Sequence, residues 1–517
     1  MRYLPLFLLV LPLWAADYDV LIRNARVIDG TGNAWLRADV AVKDGRIALV
    51  GKVPAAATAT RTIDARERVV APGFIDVHTH VEGGVERNPR ADNFLLDGVT
   101  TVITGNCGSS ELNLSAWFDK LAKLGLGINV GSLVGHNTVR REVMGAVNRQ
   151  ATAEETARMQ ALVDRAMREG AVGFSTGLEY VPGIYSNTAE VVALAKAAAA
   201  YGGVYTSHMR DEGIHEIDAI NEAVSVGREA GMKVEISHLK IDRRSVWGAS
   251  DQSLALIEKY RRQGVDVVAD QYPYDRAATN LGIRLPGWAL ANGQIKQRLA
   301  EPETRRKIAQ EMKQNLETMG EPDYGFATVA RFAATPAYEG KTISEVNALK
   351  GRGPGVDNEI ETIFDLMNAG GASMIYHLMG DVDIERFMRY PFTAIASDGG
   401  VTELGVGNPH PRSYGTNARV LAEYVRARGV LTLEDAIRRM TSLPARTFSL
   451  RDRGLVREGL AADLVLFDPA RVQDKSTYAQ PHQYSQGFDV VLVNGQIVVD
   501  GGKLTAARPG QPLRHKQ

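Results

Sequence analysis

Apolar and polar positions alternate in short runs near both ends of the chain. Asp19-Val20-Leu21-Ile22-Arg23-Asn24-Ala25-Arg26-Val27-Ile28-Asp29-Gly30 sets apolar runs between turn residues. Asp489-Val490-Val491-Leu492-Val493-Asn494-Gly495-Gln496-Ile497-Val498-Val499-Asp500-Gly501 repeats the pattern, one residue longer. In both, Asn stands five places after the Asp and a β-branched run ends in Asp-Gly, a hairpin-type signal. Residues 40–50 and 463–467 add strand-like stretches. The matching ends predict a small β-sandwich domain formed by both chain ends, from residues 17–70 and 450–507; two unrelated hairpins are the alternative. Residues 508–517 carry Pro, Gly and basic side chains without an apolar period and are expected to be a loose tail.

Between the ends, short β-rich runs recur at 69–80, 98–107, 127–136, 170–177, 204–208, 234–238, 265–272 and 392–398. The segments 154–168, 188–201, 218–230 and 253–262 have helical spacing in Ala, Glu, Leu and Arg. Strands alternating with helices predict an α/β fold, a (β/α)8 TIM barrel over residues 71–449. On pattern alone a doubly wound sheet fits as well. Residues 282–371 are too long for a loop and include a charged helical run at 303–316, so an insertion is expected there. Residues 374–377 read as one further strand, which leaves the count of eight open.

The first residues carry a different pattern. Arg2 gives a positive start, residues 4–14 are almost wholly apolar, and Ala15-Ala16 precede Asp17. That is an export signal over residues 1–16, too short an apolar run to span a bilayer. The expectation is an exported, periplasmic or secreted protein with no stable membrane insertion after cleavage. With 60 Lys+Arg against 61 Asp+Glu the net charge is −1. Nucleic acid and anionic membrane, which both attract a basic excess, are therefore excluded as main partners. The hydrophobic content of 44% is that of a globular chain. A single cysteine rules out an intramolecular disulfide, and a free thiol in an oxidising compartment needs something to occupy it.

Candidate chemistry sits at the strand ends. His78-Thr79-His80 closes the first run, and residues i and i+2 of a strand face one side. Cys107 closes the second, His208 the fifth, His238 the sixth and Asp398 the eighth. A barrel presents the C-terminal ends of its strands at one mouth, so these side chains can converge. Imidazole and thiolate together suit zinc. Taken singly, each has a plainer explanation: a strand-end His is usually hydrogen-bonded, a buried Cys is a small hydrophobe, and Asp in Ser-Asp-Gly is a turn residue. Nitrogen and sulfur donors at four strand ends, from a chain with ten His and one Cys, favour the metal site. His136 and His377 are weaker candidates.

Pro72-Gly73-Phe74-Ile75-Asp76-Val77-His78-Thr79-His80 resembles the first-strand signature of the amidohydrolase superfamily. Gly105-Asn106-Cys107-Gly108, Gly173-Phe174-Ser175-Thr176-Gly177-Leu178, Ser207-His208-Met209-Arg210 and Ser237-His238-Leu239-Lys240 narrow the resemblance to the D-aminoacylase (N-acyl-D-amino-acid deacylase) branch, across essentially the whole mature chain. The resemblance implies one tight Zn2+ on Cys107, His208 and His238, and a second, weaker site formed by His78 and His80 sharing Cys107. It implies Asp398 as general base and acid, with metal-activated water attacking the acyl carbonyl. Lys240 and Arg412 match positions that hold the substrate α-carboxylate, and Tyr180 and Tyr272 match tyrosines lining the substrate site. The chain departs from the family at Ala278-Thr279, where Ser-Thr is usual, and over residues 401–407.

The activity expected is hydrolysis of an N-acyl-D-amino acid, or of a dipeptide with a D-residue at its C-terminal end. A cyclic-amide (hydantoinase- or dihydroorotase-like) hydrolase is the alternative, although no lysine stands at the fourth-strand end where carboxylation would occur. A catalytically silent scaffold would have lost ligands or Asp398, and none is missing.

Overall fold

In the computed structural model, which describes residues 16–515, the chain changes sheets at Gly73. The run 69–80 reads as one strand in the sequence but is two. Val69–Pro72 pairs antiparallel with Leu464–Phe467 and parallel with the end of Tyr18–Val27, whereas Phe74–Asp76 pairs parallel with Val99–Thr104. At the crossing point, Gly73, a Cβ would meet Thr100 Oγ1 at 2.3 Å, so a side chain has no room there. The residues of the expected export signal, up to Ala15, lie outside the described residues.

The two chain ends build the small β-domain together, as one continuous nine-stranded sheet. Its order is Lys503–Leu504, Gln496–Asp500, Phe488–Val493, Leu464–Phe467, Val69–Pro72, Tyr18–Val27, Leu36–Lys43, Arg46–Gly51, with Ala59–Asp64 also on Tyr18–Val27. The sheet bends back on itself, since Arg46 bridges Ala461 and Ile47 N–H donates to Leu460 O at 2.9 Å. Val20, Ile22, Val40, Leu464, Leu466 and Leu492 fill its interior. The two look-alike segments lie in this sheet without touching as neighbours, and their matched asparagines do different jobs. Asn24 (φ 57°) sits at an irregularity in the pairing of Tyr18–Val27 with Leu36–Lys43, whereas Asn494 (φ 46°) and Gly495 form the turn between Phe488–Val493 and Gln496–Asp500.

Eight parallel strands form the barrel. In order they are Phe74–Asp76, Val99–Thr104, a third interrupted at Leu133 (Asn129–Ser132 and Val134–Gly135), Gly173–Gly177, Val204–His208, Lys233–Ile236, Val267–Gln271 and Thr393–Ile395. The seam between the eighth and first strands closes beyond both, at the mouth: Asp398 N–H donates to His78 O (2.8 Å) and His80 N–H to Gly399 O (2.7 Å). Asp76 ties the same seam by accepting from Ser397 N–H at 3.0 Å. Helices Ala153–Arg168, Thr188–Ala199, Glu216–Ala230 and Ser250–Arg262 return the chain between strands. The first begins with a Thr152/Glu155 capping box and turns Met159, Val163, Ala166 and Met167 inward at helical spacing.

The stretch expected as an insertion is wider than residues 282–371. Arg276–Asn280, Ala327–Arg331 and Ser373–His377 make a separate antiparallel sheet with Ser373–His377 in the middle, so residues 374–377 add no barrel strand. Helices Pro302–Met319 and Val356–Asn368 pack on this sheet around a core of their own, including Leu281, Ile308, Phe326, Ile363 and Tyr376. The unit stands beside the barrel mouth.

The C-terminal segment is not loose. Gly510 N–H donates to Leu126 O (2.8 Å), Val130 N–H to Gln511 O (3.0 Å), Leu513 N–H to Val130 O (2.8 Å) and His515 N–H to Gly170 O (2.9 Å). The tail thereby lies along the edge of the third strand and reaches the start of the fourth. Apolar periodicity misses such a segment because its hold is backbone pairing, which any side chain permits. Deleting residues 509–517 is expected to remove about 2–4 kcal/mol of stability, at roughly 0.5–1.5 kcal/mol per hydrogen bond. A thermal melt should fall by a few degrees with metal content unchanged.

Candidate metal centre

Cys107 Sγ lies 3.3 Å from His78 Nε2, 3.5 Å from His238 Nε2 and 3.9 Å from His208 Nδ1, and the last two nitrogens are 2.8 Å apart. Sets of ligand atoms converge as His78–His80–Cys107 and as Cys107–His208–His238, with the sulfur in both. His78, Cys107, His208 and His238 are buried, whereas the His80 side chain keeps 37% exposure toward the cavity. The fifth strand ends on His208, and the first, second and sixth strands deliver their donors within four residues of their last strand residue. Three site residues have left-handed backbones, Cys107 (φ 51°), His238 (φ 36°) and Asp398 (φ 50°). Each such conformation costs about 1–3 kcal/mol, held here because neighbouring contacts leave no alternative. Around Cys107 those contacts are Asn106 Nδ2, which donates to Val77 O and Ile103 O, and Gly108, where a Cβ would meet Asn137 Oδ1 at 2.3 Å.

Every buried ligand histidine has a carboxylate on its outward nitrogen. His78 Nδ1 faces Asp270 Oδ2 at 3.1 Å, His208 Nε2 faces Glu179 Oε2 at 3.1 Å, and His238 Nδ1 faces Glu212 Oε1 at 3.0 Å. On His78 and His208 a proton held on the outward nitrogen leaves the inward lone pair facing the sulfur, an arrangement that a cation satisfies, whereas the outward nitrogen of His238 accepts from the Lys240 ammonium at 2.8 Å. Burial, with the Lys240 ammonium next, holds the His238 ring well below the usual imidazole range, so it is neutral and able to ligate. Burial also pushes the Cys107 thiol up, so an incoming metal must displace its proton. One soft sulfur with imidazoles, at S···N separations near the roughly 3.5 Å edge of a tetrahedral site, fits zinc. Asp270, Glu179 and Glu212 are absent from the sequence reading. Each stands within four residues of a strand end or a ligand, but nothing in the sequence says which imidazole it meets.

Asp398 lies between metal donors and a guanidinium: Oδ1 is 3.1 Å from His80 Nε2 and 3.6 Å from His78 Nε2, and Oδ2 is 3.0 Å from Arg412. Burial opposes its charge, but Arg412 and the two imidazoles outweigh it and hold the carboxyl well below the ordinary range. Arg412 also donates to Ala278 O and stacks 4.7 Å over Tyr272. Lys240 is less free than the sequence suggests, because it donates to Glu212 at 2.6 Å and lies 2.8 Å from His238 Nδ1. The Tyr272 hydroxyl is fully buried without a partner and is pushed up to about 12 by that burial. Tyr180 packs its ring 4.5 Å from that of His208 and accepts from Thr279 Oγ1 at 3.1 Å. From His80, Cys107 and Asp398 a cavity of about 790 Å3 opens outward under the inserted unit.

His136 and His377 are elsewhere, on Glu190 and Asp275 respectively. Of the departures from the family pattern, Ala278 offers Arg412 its carbonyl, and residues 401–407 reach His482 through Gly405 N–H. Among the described residues, no helix is long and apolar enough to cross a membrane.

Barrel, terminal sheet and a mouth lined by His-x-His, thiol and aspartate define a metal-dependent hydrolase. Residues 61–499 match the amidohydrolase family, and the chain belongs to it. Within that family it falls in the D-aminoacylase branch. It is 37% identical to the N-acyl-D-aspartate deacylase of Alcaligenes xylosoxydans xylosoxydans, over 96% of this chain and 95% of that one. A solved D-aminoacylase, 33% identical, superposes with a TM-score of 0.83 over 96% of this chain and 100% of the other. The N-acyl-D-glutamate deacylase of Bordetella bronchiseptica, crystallised with zinc and a phosphonate mimic of the tetrahedral intermediate, gives the same score at 33% identity, covering 96% and 99%.

Proposed function

We propose that this chain is an exported zinc hydrolase that removes the acyl group from N-acyl-D-amino acids, with an acidic side chain preferred. The observation that carries the chemistry is Asp398, set between the ligand imidazoles and Arg412. Zinc held by Cys107, His208 and His238, with His78 and His80 as a second position, supplies Lewis-acid chemistry, acidifying a water and polarising the acyl carbonyl. Asp398 Oδ1 faces that position, and it accepts the proton of the attacking water and returns it to the leaving amine. Arg412 keeps the carboxylate ionised and fixes its orientation. The donors that meet the substrate α-carboxylate are Arg412, Lys240 and the unpartnered Tyr272 hydroxyl, while Tyr180 closes the side of the site over His208. The N-terminal pattern supports export.

Side-chain preference rests on Arg284. Its guanidinium is buried in the lining of the cavity, donates to Met319 Sδ, lies 4.8 Å over the Tyr376 ring, and leaves Nε unpartnered. Among the described residues no carboxylate forms an ion pair with it, and a buried cation without a counter-ion is what an acidic substrate side chain would neutralise. The names of the aspartate and glutamate deacylase relatives point the same way.

Purified protein with measured metal content, assayed on N-acetyl-D- and L-forms of Asp, Glu and Met, tests the proposal. D-Asp or D-Glu derivatives should be hydrolysed best; equal use of L-forms, or no hydrolysis by zinc-loaded protein, refutes it. Arg284→Met should lower kcat/KM for the acidic derivative by roughly 30- to 1000-fold, about 2–4 kcal/mol, and leave the Met derivative within a few-fold. A uniform fall across substrates would remove Arg284 from the specificity role.

A further inference from the structure

Two donors from different barrel strands converge on one buried carboxylate. Asp270, in Val267–Gln271, is fully buried. Its Oδ1 accepts from the His238 backbone N–H at 3.0 Å, and its Oδ2 faces His78 Nδ1 at 3.1 Å. The first donor is fixed, because a peptide N–H has no second tautomer. The second is a choice, because a neutral imidazole carries its proton on either nitrogen. An oxygen acceptor at 3.1 Å places that proton on Nδ1. The Nε2 lone pair is then left facing Cys107 Sγ and Asp398.

We propose that Asp270 is a positioning residue that sets the His78 tautomer for metal binding while it pins the left-handed backbone of His238. One side chain thereby couples both metal positions, through the ring of one ligand and the main chain of another. The inference rests on the metal-centre reading above.

Only a carboxylate does both jobs. An asparagine at 270 has one acceptor, and the unalterable His238 N–H claims it. Its amide N–H2 then points at His78 Nδ1, which must become the acceptor. The ring proton moves to Nε2, 3.3 Å from Cys107 Sγ, and blocks ligation there. Alanine leaves the ring free to choose. The predicted order is therefore inverted from ordinary conservative-substitution logic: Asp270→Asn impairs zinc at His78 more than Asp270→Ala does.

The experiment measures zinc per chain and apparent zinc Kd, by competition with a chromophoric chelator, for wild type, Asp270→Asn, Asp270→Ala and His78→Ala. Asp270→Asn should match His78→Ala, with zinc at that position weakened about 10- to 100-fold, and Asp270→Ala should lie between them and wild type. Binding by Asp270→Asn equal to wild type, or tighter than by Asp270→Ala, overturns the proposal. A wild-type protein that takes up no zinc refutes the metal-centre reading instead. If Asp270→Asn does not fold, 15N-histidine NMR of metal-free wild type decides: a His78 ring protonated on Nδ1 supports the assignment, and one protonated on Nε2 overturns it.

Discussion

Asp398→Asn is expected to keep its zinc and lose about 10²- to 10⁴-fold in kcat, the range that a positioned acid–base group contributes. Asparagine is the informative replacement because residue 398 has φ 50°, a left-handed conformation that Asn tolerates better than Ala. Fold and seam contacts should therefore survive, including Asp398 N–H to His78 O. What disappears is the ability to take a proton, together with the anion that pairs with the Arg412 guanidinium at 3.0 Å. The acid limb of wild-type kcat/KM should not come from Asp398. Arg412 and the imidazoles hold that carboxyl below the usual range, so it is ionised across mildly acidic pH. Metal analysis and steady-state rates on the same sample check this. A variant within a few-fold of wild type would show that the proton travels by another group.

How much of this was legible in the sequence follows from what each residue depends on. His78, His80, Cys107, His208, His238 and Asp398 all stand where an apolar run stops, and a barrel gathers such positions at one mouth, so run boundaries were enough to assemble them. The carboxylates behind the imidazoles were not readable. Asp270, Glu179 and Glu212 meet their histidines across strand boundaries, and that pairing depends on register and stagger rather than spacing. Arg284 escaped for a related reason. Its cation is significant only because the inserted unit buries it without a counter-ion, and burial of an Arg leaves no mark in a hydropathy pattern. The terminal sheet shows the opposite limit. Apolar alternation identified the strands, but not that Val69–Pro72 belongs with the chain ends and Phe74–Asp76 with the barrel. That division lies in long-range pairing, of Val69–Pro72 with Leu464–Phe467 and of Phe74–Asp76 with Val99–Thr104.

Cys107→Ser should abolish zinc binding and activity together, which separates it from Asp398→Asn. The sulfur is within 3.3–3.9 Å of three imidazole nitrogens and belongs to both ligand sets, so its loss empties two positions rather than one. Serine matches the shape of cysteine but does not give up its proton to become an anionic ligand. Burial already makes deprotonation hard for the thiol and harder for an alcohol. Removing partners behind a metal ligand costs about 10- to 100-fold in affinity, so removing this ligand should cost more than about 100-fold. In the cobalt-substituted wild-type protein a thiolate-to-metal charge-transfer band should be visible and should vanish in the variant. Cys107→Asp makes the contrast sharper: it restores an anion, tolerates φ 51°, and offers oxygen in place of sulfur. It should recover part of the metal binding while shifting preference from zinc toward harder ions such as Mn2+. Undiminished zinc content in Cys107→Ser would mean that the imidazoles alone hold the ion, and the sulfur would then have no part in the centre.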